Sequence, residues 1–110
     1  MNILMISLDK GLLGKGQLGD VVERHIEYGK HVESLDIIVF AKQGYENFTL
    51  FTNVKAYPTN SRRKFFYPFD ALRIAKTLFR QKKYDLIVTQ DPFLTGYVGY
   101  KLKKNFGAKL

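Results

Sequence analysis

The sequence predicts an α/β fold: a three-layer, Rossmann-like parallel sheet with helices on both faces. Two observations carry this. Short runs that are apolar almost throughout, such as Ile3-Leu4-Met5-Ile6 and Leu35-Asp36-Ile37-Ile38-Val39-Phe40-Ala41, fit strands buried on both sides. Stretches of helical period separate them, in the order strand, helix, strand, strand, helix, strand, helix.

The first strand is Asn2-Ile3-Leu4-Met5-Ile6-Ser7-Leu8, closed by Asp9. A glycine-punctuated loop follows. Asp20 then caps a helix over about 20–31, in which Val22, Ile26 and Gly29 recur at three and four. Residues 35–41 form the second strand and 53–57 a shorter, more polar third, with an edge strand available within 45–52. Residues 58–64, with Pro, Thr, Asn, Ser and a basic triplet, read as a loop and as the mobile segment of the chain. From 67 to 82, Ala71, Ile74, Ala75 and Leu78 make one helical face, while Arg73, Lys76, Arg80 and Lys83 stand three and four apart on another. Residues 84–89 are a fourth strand, and Asp91-Pro92 opens a last helix through Leu94, Val98 and Leu102 to Phe106, stopped at Gly107. Right-handed crossovers give the strand order 3-2-1-4. Ala108-Lys109-Leu110 falls where a fifth strand would begin, so the expected object is a domain truncated after about four to five strands, a fragment of a longer protein.

A chain of 110 residues, 45% apolar and 15% aromatic, makes one domain. With no cysteine, disulfides, thiolate metal sites and cysteine nucleophiles are excluded, and a reducing cytoplasm is the expected compartment. No apolar run approaches the roughly 18 residues that span a bilayer. The N-terminus carries no basic lead-in or small-residue cleavage site, so neither membrane insertion nor export is expected. The net charge of +8 belongs to the second half: residues 55–110 hold thirteen Lys/Arg against three Asp/Glu, whereas 1–54 hold five against seven. An anionic partner is therefore to be sought there.

Gly14-Lys15-Gly16-Gln17-Leu18-Gly19 is a literal G-x-G-x-x-G between a strand and a helix, where backbone amides can receive phosphate. A dinucleotide site is opposed by the five residues between strand and first glycine, and by Phe40-Ala41-Lys42 where an acidic residue would hold the ribose. An NTPase loop fails because Gln17-Leu18 stands where Lys-Ser/Thr is required. The bland alternative is a βα loop with incidental glycines. Thr89-Gln90-Asp91-Pro92 lies at the carboxyl end of the fourth strand, where α/β sheets bind ligands, although capping alone also accounts for Asp91. His25 and His31 lack a third ligand, so no metal site is assigned and both are expected at the surface or its boundary. No Ser-His-Asp order or carboxylate pair stands out, and no catalytic residue is assigned. The basic residues Arg62, Arg63, Lys64, Arg73, Lys76, Arg80, Lys82 and Lys83 are interleaved with Phe65, Phe66, Tyr67 and Phe69. A solvated face, an anionic membrane surface and nucleic acid are the three readings, in that order.

The strand ending Met5-Ile6-Ser7-Leu8, the loop Gly14-Lys15-Gly16, the helix with Glu23-Arg24-His25 and Tyr28-Gly29-Lys30, and Leu35-Asp36-Ile37-Ile38-Val39 together resemble the N-terminal domain of family 4 glycosyltransferases. Tyr84-Asp85-Leu86-Ile87-Val88-Thr89-Gln90-Asp91-Pro92-Phe93 is similar to the strand and loop these enzymes place before their next helix. The resemblance covers essentially the whole chain and rests on order and spacing; Gly-Lys-Gly replaces the usual paired glycines, and no proline pair follows the first strand.

The resemblance implies a GT-B architecture, two Rossmann-like domains facing across a cleft. Residues 1–110 would be the N-terminal part of the acceptor domain, with the C-terminal donor domain absent. The implied reaction is retaining, metal-independent transfer of a sugar from a nucleotide-sugar to a glycan or lipid-linked acceptor, with this fragment inactive alone. Gly14, Gly16 and Gln17 would lie in the loop approaching the donor pyrophosphate, and Asp9, Lys15, Gln90 and Asp91 along the acceptor side. No cofactor is implied beyond the nucleotide-sugar substrate. Arg62, Arg63, Lys64, Arg73, Lys76, Arg80 and Lys83 are the expected membrane-facing set, which makes the protein cytoplasmic and peripheral on the inner face of the plasma membrane, with no nucleic-acid partner. The alternative is a non-catalytic basic α/β module that binds RNA or anionic membrane.

Overall fold

A computed structural model describes residues 1–8, 12, 20–89, 100, 101, 103 and 104. In chain order the elements are β1 (Asn2–Ser7), α1 (Asp20–Gly29), β2 (Ser34–Val39), β3 (Phe48–Phe51), β4 (Val54–Pro58), a 3-10 turn (Lys64–Phe66), α2 (Tyr67–Gln81) and β5 (Leu86–Thr89). They form an α/β domain around one five-stranded sheet of order β3-β4-β2-β1-β5. β1 pairs in parallel with β2 and β5, β2 in parallel with β4, and β3 is an antiparallel edge strand. The four parallel strands thus take the order 3-2-1-4 expected from the sequence, and residues 45–52 contain the expected edge strand.

Because the central strands are apolar at successive positions, each side of the sheet needs its own cover. On one side Leu4, Ile6, Ile38, Phe40 and Ile87 pack with Tyr67, Ala71, Ala75 and Leu78 of α2. On the other, Leu35, Ile37, Val39, Val54 and Ala56 pack with Leu12, and Val22 of α1 lies against them. Alternate residues of β2 therefore enter different cores, as the period of two along a strand demands.

The end of α1 is built for close approach. Gly29 is buried against β4, and a Cβ there would overlap a methyl of Val54. Asn53 Nδ2 donates to the Gly29 carbonyl at 2.7 Å, which also accepts from Val32 N at 3.2 Å, and to the Val32 carbonyl at 3.0 Å, tying the helix end to the turn before β4. His25, expected at the surface or its boundary, is buried at 4% exposure, with the ring of Tyr28 edge-on at 5.3 Å; His31 is exposed.

Residues 58–64 are not a free loop. Pro58 ends β4, and the next residues extend its pairing: Thr59 N donates to Val39 O and Ser61 N to Ala41 O, both at 2.9 Å. Thr59 and Ser61 are buried, and the Thr59 hydroxyl accepts from Ala41 N at 3.0 Å and donates to Ala41 O at 2.9 Å. Small hydroxyl residues can fold back onto backbone in this way, which makes a polar stretch look looser in sequence than it is. The helix expected over 91–106, its Gly107 stop and the strand start at 108–110 lie outside the described residues, apart from Tyr100, Lys101, Lys103 and Lys104, which are helical.

The Gly29 contact yields a direct check. Gly29→Ala should destabilise the domain by about 1–3 kcal/mol in urea unfolding, as overpacking does, while Lys30→Ala beside it, which removes only an exposed pair with Glu27, should stay within about 0.5 kcal/mol.

Candidate functional site

The parallel strands all point to one edge of the sheet, and the chain's path reverses there. It steps from β1 outward to β2 and β4, then returns through α2 to β5 on the other flank of β1. β1 and β5 are thus neighbours at the point of reversal, with Ile6 opposite Thr89. In open α/β sheets the crevice at such a point is where ligands bind. The loop leaving β1 carries Asp9, Gly14, Lys15, Gly16 and Gln17, and that leaving β5 carries Gln90 and Asp91; these seven predicted site residues lie outside the described residues. The two strand ends that launch them lie side by side. Ser7 is fully buried there, and its carbonyl accepts from Phe40 N at 2.9 Å.

One flank of this edge is held by a polar network. Asn60 sits in the left-handed region at φ 49°, a conformation asparagine tolerates better than most residues. Its side chain imitates a strand neighbour: Oδ1 accepts from Tyr45 N at 3.1 Å and Nδ2 donates to Tyr45 O at 2.9 Å. Ser61 Oγ donates to Asp70 Oδ2 at 2.6 Å, tying the turn to the first turn of α2, where a carboxylate also suits the helix dipole. Asp70 Oδ1 lies 3.6 Å from an Arg73 nitrogen. A cavity of about 270 Å³ lined by Gln43, Asn60, Arg62, Phe66 and Asp70 opens beside this network.

All seven residues of the predicted membrane-facing set, Arg62, Arg63, Lys64, Arg73, Lys76, Arg80 and Lys83, are exposed. The aromatics among them divide. Phe65, Phe69 and Phe66 are 79%, 65% and 46% exposed. Tyr67, interleaved with them in the sequence, is buried with its ring 5.2 Å from that of Phe40. Helical geometry explains the split, since Tyr67 begins the sheet-facing row continued by Ala71, Ala75 and Leu78, and Phe69 lies on the opposite side.

Lys82 does not belong to that basic face. Its Nζ lies 3.2 Å from Asp36 Oδ2, and the same carboxylate accepts a hydrogen bond from the Tyr84 hydroxyl. Asp36 is buried within β2, at the amino edge of the sheet, away from the strand ends described above. Burial pushes the Tyr84 phenol far above its ordinary range, and the hydrogen bond to Asp36 and that residue's charge push it further. Burial also raises Tyr57, with Asp36 adding to the shift. Tyr84 therefore stays a neutral donor at physiological pH, locking β2 to the segment between α2 and β5. The signal for this cluster in the sequence is a lone acid inside the apolar run Leu35-Asp36-Ile37-Ile38, unassigned above: a carboxylate on a strand covered on both faces must find partners.

Among the described residues, no three His, Asp or Glu side chains converge as metal ligands would. Comparisons with family models, curated proteins and solved structures find no match to this chain. The site rests on its own geometry.

The phenol shifts predict alkaline behaviour. An acid whose folded pKa is raised holds its proton in the folded state after the unfolded chain has lost it, so its stabilisation is present at neutral pH and is lost as pH climbs past about 10. Tyr84→Phe should lower stability at pH 7 by about 1–3 kcal/mol, because Asp36 loses a donor. It should also flatten the fall in melting temperature at high pH relative to the wild type, as read by thermal melts from neutral to alkaline pH.

Proposed function

We propose that this chain is the N-terminal, acceptor-side part of a retaining, metal-independent glycosyltransferase of GT-B architecture. In this reading its sheet is one of two Rossmann-like, three-layer domains, and a second domain supplies the donor site. The observation that carries the proposal is the adjacency of β1 and β5 at the reversal of strand order, from which the two motif-bearing loops depart. Either loop alone is a weak signal. Their launch from neighbouring strand ends gives one ligand access to both.

The chemistry assigned to each loop follows from its residues. Gly14, Gly16 and Gln17 offer side-chain-free or amide-bearing backbone to a pyrophosphate, ahead of the N-terminus of α1, whose dipole favours anions. Asp9, Lys15, Gln90 and Asp91 supply one cation, two carboxylates and an amide, a set that orients hydroxyl groups of an acceptor. The substrates are a nucleotide-sugar and a glycan or lipid-linked acceptor, in the cytoplasm.

Catalysis across a cleft needs both walls to align donor and acceptor. Calorimetric titration of the 110 residues alone with UDP- and GDP-sugars should accordingly show no saturation in the micromolar range; tight binding would overturn the two-domain reading. In the intact enzyme, Lys15→Ala and Asp91→Ala should each lower kcat/KM by about 100-fold, the scale of a misplaced substrate. Unchanged transfer by both variants would remove these loops from the site.

A further inference from the structure

We infer that the outer face of α2 and the 3-10 turn before it dock on an anionic lipid bilayer, with Phe65, Phe66 and Phe69 seated at the boundary between headgroups and acyl chains. The first ground is the placement of the phenylalanines. Single exposed apolar residues are ordinary on protein surfaces, but here three adjoin within the turn and the first turn of the helix. They cannot be recruited to the core, because Tyr67, Ala71, Ala75 and Leu78 already fill the sheet-facing row.

The second ground is charge. Between Asn47 and Tyr84 the chain carries nine Lys/Arg and a single acid, Asp70, which is engaged by Ser61 and Arg73. Among the described residues no carboxylate pairs with Arg62, Arg63, Lys64, Lys76 or Arg80. Phe69, Arg73, Lys76 and Arg80 follow one another at four, three and four residues, so they form a single stripe roughly 16 Å long at about 1.5 Å per residue. A helix with an apolar end and a basic stripe along its exposed side lies in the plane of a membrane interface.

Single-stranded nucleic acid is the competing polyanion, and it needs a channel with successive stacking platforms. The hollow on this face, of about 360 Å³, is lined by one aromatic, Phe69, on the outer side of a helix. Three phenylalanines with no polar atoms beyond the ring suit lipid better.

Docking also sets an orientation. The turn follows Ser61, which is bonded to Ala41 just beyond the carboxyl end of β2, so the phenylalanines stand at the same edge of the sheet as the ends of β1 and β5. With α2 lying in the plane of the interface, the sheet face that α2 covers turns toward the bilayer, and that edge stands beside the membrane surface at the phenylalanine end of the helix. Resting on the glycosyltransferase reading, this orientation makes the acceptor the lipid-linked one, reached at the membrane surface.

The test is co-sedimentation of the chain with vesicles of phosphatidylcholine alone or mixed equally with phosphatidylglycerol. Binding is expected only with the anionic lipid, and should collapse between about 0.1 M and about 1 M salt as the Debye length shortens from about 10 Å to about 3 Å. A basic residue at an anionic surface contributes about 1 kcal/mol, a factor of roughly five, so R73E/R80E should weaken partitioning by at least about 30-fold. The chain has no tryptophan, so single reporters are unambiguous. Phe65→Trp should shift its emission to the blue with anionic vesicles, and Tyr28→Trp, at an exposed position of α1, should not. Binding indifferent to lipid charge, equal shifts at both reporters, or tighter binding to single-stranded RNA than to vesicles would overturn the proposal. Vesicle binding without sugar transfer by the intact protein would overturn only the enzymatic reading, and transfer to a soluble acceptor without vesicle binding only the docking.

Discussion

The structure depends on the burial of β2 from both sides. Leu35, Ile37 and Val39 enter one core and Ile38 and Phe40 the other, all at essentially zero exposure, so neither face of the strand can be left to water. This forces helical cover on both sides, and it forces β2 inward, between β1 and β4. Parallel pairing of β1 with β2 then follows, because α1 connects them over the sheet face and such a connection returns the chain in the same direction, whereas β2 reaches its parallel partner β4 through the antiparallel edge strand β3. The reversal that brings β5 to the free flank of β1 is the remaining way to place another buried strand, since β4 is already flanked by β3.

Asp36 is the one polar residue in that constraint, and it shows how strongly burial dictates its surroundings. A carboxylate among apolar residues is costly unless bonded, and removal of one partner from such a group typically costs more than the pair contributes. Lys82 and Tyr84 meet the requirement from the segment joining α2 to β5. The pair thereby fixes where α2 ends relative to β2 and helps set the register in which β5 meets β1. The amino edge is in this sense the anchored end of the sheet, which leaves the loops at the carboxyl edge free to be shaped by chemistry.

The elements were legible where a single period dominated. Continuous apolar runs located β1, β2 and β5, and the spacing of Ala71, Ala75 and Leu78 located α2, because each of these segments has one burial pattern from end to end. Residues 58–64 misled because composition registers polarity but not bonding: Thr59 and Ser61 are polar and yet buried, their hydroxyls returned to backbone and to Asp70. His25 misled for a related reason, since an imidazole packed edge-on against Tyr28 can be buried on the inner side of a helix. The split among Phe65, Phe66, Tyr67 and Phe69 follows from where the helix begins: Tyr67, four residues before Ala71, joins the core row, whereas Phe69 lies about 200° around the helix from Tyr67 and Phe65 and Phe66 precede it in the 3-10 turn. Of the candidate site, the two loops were legible in the sequence, and so, through the expected strand order 3-2-1-4, was the adjacency of the strands that launch them.

The outer side of α2 is where local rules are broken without benefit to the fold. Arg73, Lys76 and Arg80 at spacings of three and four repel one another, each such pair opposing the helix by a few tenths of a kcal/mol. Three phenylalanines facing water add an aggregation liability that polar residues there would avoid. Neither feature is needed to bury β2, since the opposite row of α2 does that with Tyr67, Ala71, Ala75 and Leu78. Conflicts between local preference and environment concentrate at functional surfaces, because selection for a partner is what sustains them. The helix thus serves two environments, with small and apolar residues toward the sheet and cations and phenyl rings away from it. The side that weakens the isolated domain is the side on which an external surface has to be sought.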